Sequence, residues 1–157
     1  MNLQMDKVTV RVATKADLDA LLRFEQGVIE AERPFDVTLG DDIRYYDMEA
    51  MLVTPNVRLV VAELDGEVIA SGYARIEVAK PYLRHDRHSY MGFMYTVSEH
   101  RGKGVNWKII EALEQWSQSQ GVNEMRLEVY IDNLAAIRAY EKVGFAGYIL
   151  KMGKKLK

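Results

Sequence analysis

Arg101-Gly102-Lys103-Gly104-Val105-Asn106-Trp107 decides how the rest of this 157-residue chain is read. It stands between a run that reads as a strand, Ser89 to Val97, and one that reads as a helix, Val105 to Gln120. Two glycines at a strand-to-helix turn let the backbone approach a partner closely, because no Cβ intervenes. The N–H groups that open the helix have no intrahelical acceptor and carry the positive end of its dipole. A turn of this build suits a phosphate or pyrophosphate. Arg101 and Lys103 add side-chain charge.

Upstream of that turn, Val8 to Val12 alternates β-branched and polar residues, as a short strand does. Thr14 is a good N-cap, with Asp17 three positions on as a capping-box partner. The helix from Lys15 to about Glu30 repeats Leu18, Leu21, Leu22 and Val28 on one face, and Pro34 ends it. A second helix is expected from Asp41 or Asp42 to Leu52, stopped by Pro55. Arg58 to Leu64 and Glu67 to Val78 read as strands joined by Asp65-Gly66, a strong hairpin signal. Lys80 to His88 is a charged loop.

Downstream, Val105, Ile109, Ala112, Leu113 and Trp116 share one face of the helix, the spacing of a helix packed on a sheet. Gly121 is its C-cap. Met125, Leu127 and Val129 alternate with Arg126, Glu128 and Tyr130 in another strand. Asn133 precedes a helix from Leu134 to Val143, which Gly144 ends, and Phe145 to Leu156 reads as a last strand or hairpin arm. The element order β-α-α-β-β-β-α-β-α-β predicts an α/β domain with a mixed sheet and helices on both faces.

Composition narrows the function. The length fits one domain over residues 1–157 and buries a real core. A net charge of −2 supplies no global field toward nucleic acid or an anionic membrane. The absence of cysteine excludes disulfides and a thiolate nucleophile. His85, His88 and His100 form no metal-binding spacing with carboxylates. No apolar run approaches the roughly 20 residues of a membrane span, and Met1 to Val10 lacks the apolar core of a signal peptide. The expectation is a cytoplasmic protein without a metal.

The second informative stretch is Asn133-Leu-Ala-Ala136-Ile-Arg-Ala-Tyr140-Glu-Lys-Val-Gly144-Phe145. Spacings of three and four place Asn133, Ala136 and Tyr140 on neighbouring turns near one edge. Gly144 permits the left-handed residue that stops the helix. Together the two stretches resemble the GNAT-type N-acetyltransferase family. Its loop pattern Arg/Gln-x-x-Gly-x-Gly/Ala is matched from Arg101 except at Asn106. Its later pattern, Asn-x-x-Ala-x-x-x-Tyr-x-x-x-Gly-Phe, is matched in full from Asn133 to Phe145.

The resemblance implies a GNAT-like fold with a mostly antiparallel mixed sheet. It also implies an acetyl-CoA-dependent enzyme that acylates a primary amine by direct attack in a ternary complex. Main-chain N–H groups of Arg101, Gly102, Lys103, Gly104, Val105 and Asn106 would cradle the CoA pyrophosphate. Main-chain groups of Met94, Tyr95 and Thr96 would pair with the pantetheine arm like an added strand. They would also polarise the thioester carbonyl. Asn133 would contact the pantetheine or position its helix, and Tyr140 would protonate the departing sulfur. The acceptor is a small-molecule amine or a peptide, and a homodimer is compatible with the family.

The chain departs from the family in one main respect: Ser89 to Val97 carries no Asp or Glu to take the amine's proton. Glu128, Glu77, Glu30 and Glu32 are the candidates. The acid-rich region from Glu30 to Glu49 is either a solvated helix-loop-helix or an acceptor-recognition surface. In the second case Tyr45 and Tyr46 add cation–π contacts, and Lys80, Arg84 and Arg87 flank the opposite side. Plainer roles stand beside these: Gly102 and Gly104 as a tight turn, Asn133 as an N-cap only, Tyr140 as a core aromatic, and Trp107 and Trp116 as helix-packing residues. A non-catalytic acyl-CoA sensor is the rival function.

Overall fold

Asp65 and Gly66 both adopt positive φ, 51° and 79°. That is the conformation of a two-residue hairpin turn whose twist matches its strands. They join β2 (Val57–Leu64) to β3 (Glu67–Val78), the centre of the sheet in the computed structural model, which describes residues 3–157. β1 (Thr9–Val12), β4 (Arg87–Thr96) and β5 (Met125–Arg126) complete it in the order β1-β2-β3-β4-β5. All neighbours are antiparallel except β4 and β5, which run parallel. The helices are α1 (Leu18–Glu32), α2 (Met48–Val53), α3 (Val105–Ser119) and α4 (Leu134–Lys142).

The period-two alternation of the central strands divides the core into two layers. Against one face α3 buries Val105, Ile109, Leu113 and Trp116 on Val60, Ala62, Ala74 and Met91. Against the other, α1 and α2 bring Leu21, Phe24 and Met48 onto Leu59, Val61, Tyr73 and Phe93. The apolar spacing of three and four along α1 and α3 is thus realised as one buried stripe each. The expected α/β architecture, with a mixed, mostly antiparallel sheet and helices on both faces, is what forms. No helix of the described residues is long and apolar enough to cross a membrane.

Three elements differ from expectation. α2 begins at Met48, not at Asp41 or Asp42, and Asp47 caps it by accepting from the Ala50 N–H at 3.1 Å. The preceding chain has other uses for its backbone donors. Tyr45 and Tyr46 N–H groups both donate to the buried Glu25 carboxylate at 2.8 Å, and Thr38 N–H donates to Asp36. β5 pairs over only two residues rather than from Met125 to Tyr130.

Phe145 to Leu156 is not a strand. Phe145 N–H returns to the Tyr140 carbonyl at 3.1 Å, and its ring packs edge-on to Tyr140 at 5.8 Å. Beyond it the ladder of β5 has already stopped at Arg126, so alternation alone finds no edge to join, and Tyr148, Ile149, Leu150 and Met152 stay exposed.

Candidate functional site

The Gly loop forms as its residues require. A short 3₁₀ turn, Ser98–His100, leads out of β4, and Gly102 and Gly104 take φ of +75° and +92°. L-residues with a Cβ rarely hold that region. Gly104 is the N-cap of α3, so the helix starts immediately and aims its first free N–H groups into the loop. A Cβ on Gly102 would meet nothing within 4 Å, and on Gly104 only the Met5 methyl at 3.8 Å. The concave side is therefore open. Arg101 and Lys103 are exposed, and Val105 is buried as the first anchor of α3. Asn106 is half-buried in the first helical turn.

Next to that loop the sheet splits. Between the pairs Ser71–Tyr95 and Tyr73–Gly92, β4 carries Phe93 and Met94 opposite Gly72 alone, a β-bulge. Phe93 takes φ of 54°, and its carbonyl accepts from the buried Ser71 hydroxyl at 3.2 Å. β5 leaves β4 after Tyr90–Arg126. The outer edge of β4 from Met91 to Thr96, including Met94 and Tyr95, thus has no strand beside it among the described residues. A bulge at such a place bends the strand away from its neighbour. The Thr96 carbonyl is engaged by the Arg101 guanidinium, whose Nε donates at 2.8 Å.

α4 stands beyond the split. The Asn133 side chain accepts from Ala136 N–H at 3.3 Å, so its capping role is realised. Tyr140 is half-buried against the α3-side core and Phe145. Burial and the charge of Glu32 push its phenol up to about 12.

The α1–α2 segment covers the other side. Glu32 is the last residue of α1 and half-buried, and loss of water around its carboxyl raises it above the ordinary glutamate value. Phe35 stacks on Tyr130 at 6.2 Å, and the Tyr130 hydroxyl donates to Asp36 at 2.9 Å. Burial and that bond push the Tyr130 phenol up to about 12. The Tyr45 hydroxyl is shielded from water and faces the Glu32 carboxylate, its hydrogen-bond acceptor on that side. Tyr46 packs against Phe93 at 5.1 Å and Tyr73 at 5.6 Å.

Among the sequence candidates, the Gly loop and the β4 edge adjoin one split in the sheet, and α4 follows β5 from its other side. Others fall elsewhere. Arg87 turns to the α3 side and donates to the Gln120 carbonyl at 2.9 Å, away from the α1–α2 face. Trp116 packs as expected, but Trp107 is half-exposed at 51% and packs no core. The segment 36–46 is neither a helix nor a freely solvated loop. Sequence reading missed Glu25, whose carboxylate orders Tyr45 and Tyr46, and the Tyr130–Asp36 tie. No local spacing marks either, since the partners lie 20 and 94 positions apart.

Comparison with known proteins agrees with this geometry. The profile of the Acetyltransferase (GNAT) family matches residues 25–145. The uncharacterized N-acetyltransferase YobR of Bacillus subtilis is 36% identical over 61 residues, 39% of this chain, and the match spans only 25% of that relative's length. The L-methionine sulfoximine/L-methionine sulfone acetyltransferase of Salmonella typhimurium is 28% identical over 149 residues, covering 88% of this chain and 80% of the relative. Two solved structures share the fold. A mutant of the BH1408 protein from Bacillus halodurans has a TM-score of 0.85 at 18% identity, covering 95% of this chain and 99% of that one. A predicted acetyltransferase with acetyl-CoA from Clostridium acetobutylicum has a TM-score of 0.74 at 18% identity, covering 93% and 96%.

A strand split beside a glycine-capped helix, and a profile match over most of the length, define the class. The chain belongs to the GNAT acetyltransferase family.

Proposed function

We propose that residues 1–157 act as one N-acyltransferase domain, moving the acetyl group of acetyl-CoA to a primary amine by direct attack in a ternary complex. The observation that carries this reading is the unpaired edge of β4 running straight into the Gly104-capped start of α3. An extended pantetheine fits such an edge through main-chain hydrogen bonds. The pyrophosphate then falls at the N–H groups of Arg101 to Asn106. Met94, Tyr95 and Thr96 supply the edge, and Asn133 holds the start of α4 so that Tyr140 faces the sulfur.

In the reaction, the nitrogen lone pair attacks the thioester carbon, the C–N bond forms and the C–S bond breaks. Donors on the β4 edge stabilise the oxyanion. Tyr140 gives its proton to the leaving sulfur. The acceptor is a small-molecule amine, in keeping with the relative that acts on methionine sulfoximine or methionine sulfone.

Calorimetric titration with acetyl-CoA, followed by thiol-release assays over a panel of amines, tests this. One site per chain and CoA release with at least one amine are expected. Binding without thioester consumption across the panel would favour a sensor instead. No binding at millimolar concentration would leave the loop as a turn only.

A further inference from the structure

β4 has no carboxylate to take the acceptor's proton, and four glutamates elsewhere were candidates. Their surroundings separate them. Glu30 is exposed and paired with Arg33 at 2.9 Å. Glu77 is held by Arg75 at 2.7 Å and lies 3.3 Å from His88, beside the start of β4. Glu128 is exposed to solvent. Glu32 is half-buried and has no Arg or Lys partner among the described ion pairs, and its helix lies over the β4 edge, where Phe24 packs 4.9 Å from the Tyr95 ring.

The fold holds Glu32 there from both sides. Its helix is anchored by Phe24, Glu25 and Ile29, all at most 5% exposed. The chain after it is pinned across the split by the Phe35–Tyr130 stack and the Tyr130–Asp36 hydrogen bond. Glu25 pins the returning Tyr45–Tyr46 segment. The groups whose charge or dipole faces Glu32 are Asp36, Tyr45 and Tyr46 from the α1–α2 segment, Tyr130 from beyond β5, and Tyr140 from α4. None is a cation that would hold the carboxylate.

We infer that Glu32 is the base of the transfer: its carboxylate receives the acceptor's ammonium and takes the proton that masks the lone pair, so that neutral nitrogen attacks the thioester. This rests on the transferase reading above. The ammonium sheds two protons in all. The first passes by way of Glu32 to solvent before attack. The second leaves nitrogen as the amide forms and, relayed by Glu32, restores the Tyr140 phenolate, whose own proton has gone to sulfur. A desolvated glutamate is a better acceptor than an ordinary one, because its proton affinity stands nearer the working pH. The Tyr45 hydroxyl, shielded beside it, donates toward Glu32 and orients the carboxylate.

The test compares the wild-type protein with Glu32→Gln, Glu32→Asp and Glu128→Gln, using whichever amine the wild type acetylates. Glu32→Gln is expected to lower kcat/KM at pH 7 by about 100-fold or more, while acetyl-CoA affinity stays within about twofold, which also reports that the variant is folded. The deficit should shrink as pH rises toward the pKa of the amine, ~10.4 for a lysine-like ammonium, because solvent then delivers neutral amine. Glu32→Asp should recover part of the loss.

A second readout needs no turnover. Phenolate absorbance should show Tyr140 ionising at lower pH in Glu32→Gln, with Tyr140→Phe identifying its signal. Turnover within about threefold of wild type and an unchanged pH profile would overturn the proposal and leave the transferase reading standing. So would a deficit found in Glu128→Gln instead. A wild type that binds acetyl-CoA but acetylates nothing in the panel would overturn the transferase reading, and this one with it.

Discussion

Arg101 Nε donates to the carbonyl of Thr96 at 2.8 Å, and its guanidinium lies 5.5 Å from the centre of the Tyr95 ring. The side chain that heads the Gly loop is thus turned back onto the strand edge that feeds it. In the proposed complex the phosphates are left to main-chain N–H groups and the helix dipole. Arg101→Ala should therefore change the Kd for acetyl-CoA by no more than about threefold, about 0.7 kcal/mol. Calorimetry at low and high salt checks it. A loss beyond tenfold would mean that the guanidinium leaves Thr96 for the phosphates.

Gly104 should behave otherwise. Its φ of +92° is paid for by no side chain, and a Cβ there would touch only the Met5 methyl. A Gly104→Ala change therefore acts through the backbone, at about 1–2 kcal/mol. That corresponds to a fall in Tm of about 2–8 °C for a chain of this size. Relief of that strain by rotating the cap would turn the first N–H groups of α3 out of the loop. Acetyl-CoA affinity should then fall at least about tenfold. A melting shift with unchanged affinity would remove the loop from the binding site.

The parts of this arrangement that sequence reading recovers are those written in local chemistry. Gly102 and Gly104 mark the loop because the turn needs positive φ, and Asp65-Gly66 marks the hairpin for the same reason. The stripes of α1 and α3 follow from a period of 3.6. What stays hidden is set by partners far apart in the chain. The stretch from Asp41 or Asp42 reads as the start of a helix until Glu25 takes the Tyr45 and Tyr46 donors. Phe145 to Leu156 alternates like a strand, but a strand also needs an edge, and β5 supplies two paired residues. The choice among Glu30, Glu32, Glu77 and Glu128 depends on burial and ion pairing, which spacing does not carry.

Tyr140→Phe keeps the ring against Phe145 and removes only the hydroxyl. If that hydroxyl protonates the sulfur, kcat should fall by about 100-fold or more, with acetyl-CoA affinity within about twofold. The donor is active while protonated. With its phenol pushed up to about 12 by burial and by Glu32, it stays protonated across the working range. The alkaline side of the wild-type rate profile should therefore show no fall from Tyr140 below about pH 11. Stopped assays from pH 6 to 10.5 check both points. A variant with undiminished kcat would return Tyr140 to the core.

Asp17 ties the first strand to the first helix, and that tie should be visible in acid. It is 6% exposed and accepts from both Arg11 Nη atoms at 2.8 and 2.9 Å and from Thr14 N–H at 2.8 Å. The Arg11 hydrogen bonds, foremost, hold its carboxyl below the ordinary value. A depressed folded pKa contributes stability that is present above the unfolded value, ~3.9 for Asp. It is lost as pH falls through the folded value. Asp17→Asn should cost about 1–2 kcal/mol at pH 7, the Arg11 side being open to solvent. The gap between variant and wild type should close as pH falls below about 4. Urea unfolding of both proteins from pH 7 down to pH 2.5 measures it. A gap that stays constant to the lowest pH would place the loss in packing rather than in the ion pair.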